Sequence, residues 1–253
     1  MINLKTEKWE INNIETILFD KDGTFVDLHY FWGRMTEMRA MEVIKHFYLN
    51  DVFFAEICLD LGFDIKTKKM LADGITALYS RSKIIEIFVK DLKKYHVNTT
   101  FQEIEFLFDL VSTKFYKEFY IYTKPIDDAI SFIKKVRSNG IKTGIVTSDS
   151  VESTKLTLDY YNWNDLFDVV IGRESSSYTK ESGEPTKIAL KELNANSKTT
   201  VMIGDAPMDY LSAKNAGIES TILVSTGQIN EKELKKISKF TVDSLAKIIF
   251  TAF

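Results

Sequence analysis

The stretch Ile17-Leu18-Phe19-Asp20-Lys21-Asp22-Gly23-Thr24-Phe25-Val26-Asp27 decides how this chain folds. Its apolar start is short and ends at a turn signal, which is typical of a buried parallel strand. Side chains alternate between the two faces of a strand, so we expect Asp20 and Asp22 to point the same way. In an open α/β sheet, ligands bind at the carboxyl ends of the strands, where these two acids lie.

Asp20 and Asp22 also place two like charges side by side. Such neighbours raise each other's pKa unless a cation lies between them. The pattern therefore indicates a bound metal ion or one carboxyl group that is held protonated. An acidic loop after a strand is the alternative that this stretch alone leaves open. For Lys21, between the acids, alternation predicts the opposite face of the strand. Its side chain is expected to be solvated or to face the domain that is inserted after this strand.

The composition narrows the class of protein. The chain has 253 residues, of which 45% are hydrophobic and 27% charged, enough for one large domain or a core with a smaller partner. A net charge of −3 argues against a nucleic-acid binder, which usually shows a basic face. With neither a visible signal peptide nor an apolar run of membrane-spanning length, we expect a cytoplasmic protein without membrane contact.

After Pro125 the apolar pattern alternates between strand and helix. A helix is predicted from Pro125, with Asp127 and Asp128 in its first turn, to Asn139-Gly140, which favours a helix end. Strands are then predicted over 141–146, 168–171, 200–203 and 219–224, with helices over 151–161, 185–193 and 208–216, and 242–250 continues the alternation. This order predicts an α/β fold, a Rossmann-like core of mostly parallel strands with helices on both faces.

The chain between Tyr30 and Phe119 follows another pattern. Apolar residues recur at helical spacing over 81–96 and 101–119, and there is no convincing strand. This segment of roughly 90 to 95 residues is large enough for a small domain of its own. We therefore predict an inserted all-helical domain at 28–122, within a core formed by 1–27 and 123–253.

Four pieces of the chain, in order, resemble the motifs of the haloacid dehalogenase-like hydrolase superfamily, in its phosphoglycolate phosphatase-like branch. They are Asp20-Lys21-Asp22-Gly23-Thr24, Gly144-Ile145-Val146-Thr147-Ser148, Lys180-Glu181-Ser182-Gly183-Glu184-Pro185 and Val201-Met202-Ile203-Gly204-Asp205-Ala206-Pro207-Met208-Asp209. The set of four carries the resemblance, since no single piece is specific. In this family a helical cap takes the place of the insert.

The resemblance implies a role for each acid of the first motif. Asp20 stands where the family has its nucleophile, a carboxylate that attacks phosphorus and forms an aspartyl phosphate. Asp22 stands where the family has the general acid and base, which protonates the leaving oxygen and later activates water.

The second and third motifs imply phosphate-binding groups. Thr147 matches the hydroxyl position and Ser148 follows it; either type of residue is also a common helix cap. Lys180 matches the lysine that holds the phosphoryl group and the nucleophile together. The family's usual proline directly after this lysine is absent, and Glu181 stands there. Lys187, one turn into the next helix, is the rival, and a surface lysine is its simpler interpretation.

The fourth motif implies a magnesium site. Mg²⁺ prefers octahedral oxygen ligands, which here would be Asp20, Asp205 and the main-chain carbonyl of Asp22, with a phosphate oxygen and waters. Asp209 matches the acid that orients the lysine or the metal waters, and it could equally be a helix cap. Arg34, near the start of the insert, is a candidate contact for a substrate anion.

The sequence therefore predicts a magnesium-dependent phosphatase for a small, soluble phosphorylated metabolite. A phosphomutase resembling β-phosphoglucomutase would share all four motifs, and a non-catalytic binding protein could use the same scaffold. Dehalogenation is disfavoured because that branch lacks the acid that Asp22 supplies. No motif identifies the substrate or an oligomeric state.

Overall fold

The structure is a computed structural model that describes residues 1–252, with the backbone alone for Ala252. It divides the chain into two compact units, Met1–Asp27 with the chain from Pro125 onward, and Leu28–Lys124. We call them the core unit and the helical unit. Phe253, the last residue of the predicted core, lies outside the described residues. Within 1–252, no helix combines the length and apolar character needed to cross a membrane.

The strands and helices are numbered in chain order. The strands are β1 (Ile2–Lys5), β2 (Glu10–Ile14), β3 (Thr16–Phe19), β4 (Phe63–Asp64), β5 (Lys69–Met70), β6 (Lys142–Val146), β7 (Val169–Ile171), β8 (Thr200–Gly204), β9 (Ser220–Val224), β10 (Phe240–Val242) and β11 (Ile249–Ala252). The helices are α1 (Leu28–His46), α2 (Phe54–Asp60), α3 (Ile75–Leu78), α4 (Arg81–Asp91), α5 (Phe101–Lys117), α6 (Phe119–Tyr122), α7 (Asp127–Ser138), α8 (Val151–Tyr161), α9 (Glu184–Glu192), α10 (Pro207–Asn215) and α11 (Glu231–Leu234).

The core unit is built on a six-stranded sheet of order β10-β9-β8-β3-β6-β7, in which every pair of neighbours is parallel. Alternate residues of β3 join different hydrophobic clusters. Ile17 and Phe19 pack with residues of α7 and α8, whereas Leu18 packs with residues of α9 and α10. Helices therefore cover both faces, and the predicted Rossmann-like α/β fold is confirmed.

A second sheet of the core unit differs from the prediction. No strand is predicted in the first 13 residues, but they contain β1, which pairs antiparallel with β2 on one side and β11 on the other. Ile2 and Leu4 of β1 are buried, and alternation of this kind is typical of a strand with one covered face. The segment 242–250, read as a continuation of the alternation, holds the end of β10, one turn of 3-10 helix and the start of β11.

The helical unit has its own hydrophobic core. The larger of its two clusters contains Ile57, Cys58, Ile85, Phe88 and Phe108, all fully buried. Thr100 caps α5 by accepting a hydrogen bond from the backbone N–H of Glu103, at 3.2 Å. The unit is helical apart from the antiparallel pair β4 and β5, each only two residues long. Such short segments leave no periodicity for a sequence to show.

Candidate active site

Three neighbouring strands of the parallel sheet carry polar residues at their carboxyl ends. Asp20 follows β3, Thr147 follows β6 and Asp205 follows β8. The backbone N–H of Asp20 still donates to Ile203 of β8, at 2.8 Å, and that of Thr147 donates to Ile171 of β7, at 2.9 Å. The sheet thus fixes the main chain at these residues and brings their side chains to one edge.

Lys180 joins two of the acids. Its Nζ lies 2.5 Å from Oδ1 of Asp20 and 2.6 Å from Oδ1 of Asp209, the second contact being an ion pair whose angles fall outside hydrogen-bond geometry. All three side chains are buried. Burial alone would lower the pKa of Lys180, but the Asp20 and Asp209 carboxylates outweigh it and raise this pKa above its usual value. Lys180 is therefore a fixed cation beside Asp20.

The turn before α9 places Lys180. Gly183, which ends this turn, has φ of +81°, and a Cβ there would come within 2.7 Å of the Asn215 backbone. The side-chain amide of Asn215 in turn donates to the carbonyl of Glu181, at 2.7 Å. The absent proline is thus not needed for the turn. Lys187, the rival lysine, lies on the surface and pairs with Glu184 at 2.7 Å.

Asp205 belongs to a cluster of carboxylates. One oxygen from each of Asp20, Asp205 and Asp209 lies within 4.8 Å of the others. Burial, followed by repulsion from Asp20 and Asp209, raises the pKa of Asp205 well above its usual range. Gly227, in the loop after β9, packs so closely on this carboxylate that a Cβ would overlap it.

The residues of this cluster fit a divalent cation. Carboxylate oxygens are the ligands that Mg²⁺ prefers, and a bound cation would remove the repulsion that raises the pKa of Asp205. Asp20 and Asp205, both predicted ligands, lie in the cluster together with Asp209. The carboxylate of Asp22 lies outside it, and the sequence assigned that residue a main-chain contact.

Lys21 and Asp22 lie differently from the expectation of strand alternation. β3 ends at Phe19, and the carbonyl of Lys21 accepts the N–H groups of Thr24, Phe25 and Val26 in a tight turn. Lys21 is fully buried, which excludes the solvated side chain that was one of its two predicted arrangements. Its Nζ donates to Oδ1 of Asp22 at 2.7 Å. Burial raises the pKa of Asp22 to about 6, although Lys21 opposes the shift.

Asp209 serves both of the roles considered for it. Its Oδ2 accepts the backbone N–H of Ala206 at 3.0 Å, which caps α10, while its Oδ1 faces Lys180. Burial raises its pKa to about 6, with Lys180 opposing. The two interpretations, helix cap and partner of the lysine, are thus compatible because a carboxylate has two oxygens.

The hydroxyl residues after β6 differ in exposure. Thr147 is buried, and its Oγ1 accepts the backbone N–H of Asp149 at 3.1 Å. Ser148 is exposed, and its hydroxyl lies 3.6 Å from the sulfur of Met208. The cap of α8 is Ser150, which accepts the N–H of Ser153. Neither Thr147 nor Ser148 is therefore used as the helix cap.

Arg34 lies in α1 of the helical unit. Its Nη1 is 2.5 Å from Oε2 of Glu37, one turn further along the helix, and the side chain is 46% exposed. The guanidinium also lies 5.5 Å from the ring centroid of Tyr30. A substrate anion would therefore have to compete with Glu37 for this arginine.

Sequence reasoning missed three parts of the site: the buried contact of Lys21, the side chain of Asp149 and the loop of Gly227. Asp149 directly follows the second motif without being part of it, yet its Oδ2 lies 2.9 Å from Lys21 Nζ. The Gly227 loop could have been found, because it follows an apolar strand at the same sheet edge as the other motifs. The contact between Lys21 and Asp149 has no local signal.

Comparison with known proteins supports the resemblance. The profile of the haloacid dehalogenase-like hydrolase family matches residues 14–217. A protein assigned as the pyrophosphatase PpaX of Caldanaerobacter subterraneus subsp. tengcongensis is 30% identical over 99 residues, which are 39% of this chain and 45% of that protein. The phosphoglycolate phosphatase of Aquifex aeolicus is 22% identical over 212 residues, 83% of this chain and 84% of that protein.

A solved structure shows the same fold. The crystal structure of a protein assigned as a phosphoglycolate phosphatase from Haemophilus somnus superposes with a TM-score of 0.70 at 15% identity, covering 93% of this chain and 96% of that one. At this identity the likeness concerns the fold. The names of the relatives are in keeping with the enzyme class predicted from the sequence, a phosphatase.

Proposed function

The chain belongs to the haloacid dehalogenase-like hydrolase family, and from this membership we propose that it is a magnesium-dependent phosphatase for a small phosphomonoester. One observation carries the proposal: Asp20, at the carboxyl end of β3, is held by Lys180 and shares a buried cluster with Asp205 and Asp209. A carboxylate fixed beside a cation, at the edge of the sheet where ligands bind, is suited to attack a phosphoryl group.

In the proposed reaction, an oxygen of Asp20 attacks phosphorus and the bond from phosphorus to the leaving oxygen breaks. Asp22 gives its proton to the leaving oxygen, and the alcohol departs. Asp22 then takes a proton from a water molecule that attacks the aspartyl phosphate. Inorganic phosphate is released and Asp20 is regenerated. A pKa of about 6 for Asp22 suits both halves of this exchange, because the group can be protonated or ionised near neutral pH.

Lys180 and the hydroxyls supply the electrostatic part of the proposal. Lys180 offsets the negative charge that builds up when Asp20 meets the phosphoryl group. Thr147 and Ser148, with the backbone N–H groups after β6, would donate to the phosphoryl oxygens. Asp20 and Asp205, with the main-chain carbonyl of Asp22, would hold Mg²⁺, and Asp209 would orient Lys180 or the waters on the metal. When bound, the ion would neutralise part of the phosphoryl charge.

We propose that the helical unit is the family's cap and that its residues determine which substrate is bound. Caps of this kind exclude bulk water from the reaction. Arg34 is its candidate contact for a second anionic group on the substrate. A carboxylate or second phosphate would suit this arginine, and a small phosphorylated metabolite that carries one is the proposed substrate class.

The proposal is tested by a phosphate-release screen over phosphorylated metabolites, with Mg²⁺ and with excess chelator, in isotopically labelled water. We expect release that depends on the metal, with one solvent oxygen in each released phosphate, because water breaks the bond between phosphorus and Asp20. A phosphomutase would instead form a positional isomer of the substrate faster than phosphate. A binding protein on this scaffold would bind a metabolite without turnover, and either result would reject the phosphatase.

A further inference from the structure

A second lysine-bridged pair of acids lies in the core unit, apart from Lys180. Lys21 Nζ is 2.7 Å from Oδ1 of Asp22 and 2.9 Å from Oδ2 of Asp149, the latter an ion pair outside hydrogen-bond angles. Lys21 has a relative exposure of 0%. Burial alone would raise the pKa of Asp149, but Lys21 lowers it below its usual value, so the carboxylate is ionised. The two charges face each other in a buried site.

Three hydrogen bonds hold Asp149 in place. Its Oδ1 accepts the N–H of Ser150 at 2.7 Å, its own N–H donates to Thr147 Oγ1 at 3.1 Å, and its carbonyl accepts the N–H of Arg173 at 2.8 Å. The other oxygen, Oδ2, therefore has a fixed position. Because Lys21 Nζ lies against this oxygen, the ammonium group is fixed as well.

The lysine treats the two oxygens of Asp22 differently. Lys21 donates a hydrogen bond to Oδ1, whereas residues 1–252 offer no hydrogen bond to Oδ2. The carbonyl oxygen of a carboxylic acid is a better hydrogen-bond acceptor than its hydroxyl oxygen, so the N–H donated to Oδ1 favours the protonated form in which Oδ1 is the carbonyl oxygen. When Asp22 is protonated, its proton is therefore expected on Oδ2.

Stability alone is a poor reason for this arrangement. Removing a lysine from water is costly, and apolar residues of similar volume often replace buried ion pairs without loss of stability. One of the two acids that Lys21 contacts is the proposed proton donor. A fixed group beside a catalytic carboxyl is how proteins hold that carboxyl in its productive geometry.

We propose that Lys21 and Asp149 are positioning residues for Asp22: they hold its Oδ1 and so assign the proton transfers to Oδ2. This inference rests on the proposed function. In the first step the bond from Asp20 to phosphorus forms and the bond from phosphorus to the leaving oxygen breaks, while the proton of Oδ2 goes to that leaving oxygen. In the second step the oxygen of a water molecule bonds to phosphorus and the bond from Asp20 to phosphorus breaks, while Oδ2 takes a proton from that water.

The test compares two phosphate esters, only one of which has a leaving group that must be protonated as it departs. The leaving alcohol of an alkyl ester such as phosphoglycolate must be protonated, whereas p-nitrophenol leaves p-nitrophenyl phosphate as a stable anion. The ratio of the two kcat/KM values, alkyl over aryl, reports general-acid assistance up to release of the leaving group. Both values come from one preparation, so the ratio does not depend on the fraction that is correctly folded. If the screen finds a better alkyl ester, it replaces phosphoglycolate.

Two variants break the bridge. Asp149→Asn removes the charge that fixes Lys21 with almost no change of shape. The double variant Lys21→Met with Asp149→Asn removes one charge of each sign, so no new net charge is buried. General acids contribute about a hundredfold or more, so the double variant should lower the alkyl-to-aryl ratio at least about tenfold. Asp149→Asn should lower it less.

Asp168→Asn is the matched control. Asp168 pairs with Arg137 at 2.7 Å and accepts the N–H of Thr143 near the start of β6, the end of that strand opposite Asp149. The Asp168→Asn variant should have a lower melting temperature and an unchanged alkyl-to-aryl ratio. An unchanged alkyl-to-aryl ratio in the double variant, even with an equal loss of activity toward both esters, would reject the positioning role while the phosphatase assignment stands. No turnover of any ester by the unmodified protein would reject both.

Discussion

Lys180 Nζ lies 2.5 Å from Oδ1 of Asp20, in a contact between residues 160 positions apart. The next lysine of the same segment, Lys187, is exposed and pairs with Glu184. This difference separates two residues that the sequence offered for one role. It also provides a variant, in the turn before α9, and its control, within α9.

Lys180→Met should lower turnover about a hundredfold to a thousandfold, the usual loss when one preorganised electrostatic contact is removed. Lys187→Met should leave turnover unchanged, because its ion pair with Glu184 is on the surface. Steady-state kinetics of both variants, with melting curves as a check on folding, make the comparison. Equal activity of the two variants would contradict the role of Lys180.

Asp20→Asn should abolish turnover and leave a folded protein, because the amide has nearly the shape of the carboxylate but cannot attack phosphorus. Activity and the melting curve are measured on the same sample. A phosphoryl group on Asp20, trapped from the unmodified protein by rapid quenching, should be absent from the variant. Substantial metal-dependent turnover by Asp20→Asn would overturn the assignment of the nucleophile.

Asp205→Asn should weaken Mg²⁺ binding by at least about tenfold, the lower end of the loss seen even for residues that only orient metal ligands. Calorimetric titration measures this without substrate. Asp243→Asn, which alters an exposed acid paired with Lys247, is the control and should bind Mg²⁺ normally. Ca²⁺ should support little turnover, because it takes more ligands at longer distances. Full activity in excess chelator would exclude a role for the metal in the reaction.

The metal-free protein should become more stable as the pH falls from 7.5 to 5. The pKa values of Asp22 and Asp209 are raised to about 6, and that of Asp205 is also raised, so the folded state binds protons that the unfolded chain releases. The contribution of Asp22 and Asp209 to stability is complete below pH 4 and is lost as the pH rises through about 6. Each pKa unit corresponds to about 1.4 kcal/mol.

Melting temperatures in chelator across this range test the pH dependence. Mg²⁺ should raise the melting temperature more at pH 7.5 than at pH 5, because protons and the metal compete for the same carboxylates. In Asp205→Asn the pH dependence should be smaller. A melting temperature in chelator that stays level or falls toward pH 5 would show that these carboxyl groups are not protonated in the folded protein.

The segment Leu28–Lys124, expressed alone, should fold into a helical protein, because the residues of its two hydrophobic clusters all come from this segment. Far-ultraviolet circular dichroism and a cooperative thermal transition would show it. Phe88→Ala, which removes a fully buried ring, should lower the transition temperature, whereas Phe106→Ala, at a residue that is 57% exposed, should not. A broad, non-cooperative transition would mean that the helical unit depends on the core.

The sequence by itself determined β3, the strands and helices between residues 127 and 224, and the order of the motifs. Helix α8, for example, spans the predicted residues 151–161, and β8 and α10 fall within one or two residues of their predicted bounds. Local periodicity and end signals are sufficient here, because each element shows its buried face along its own stretch of chain. The carboxyl ends of parallel strands share one edge of a sheet, so the placement of Asp20, Thr147 and Asp205 followed from the strands.

Only the tertiary structure decided what lies around Lys21 and at the two ends of the chain. Strand alternation fails at Lys21 because the chain turns directly after Phe19, and the side chain meets Asp149 from another strand end. Ile2 pairs with Ala252, and no local pattern reveals a partner at that distance. Such contacts depend on how separate elements pack, so they cannot be predicted from the local sequence around either residue.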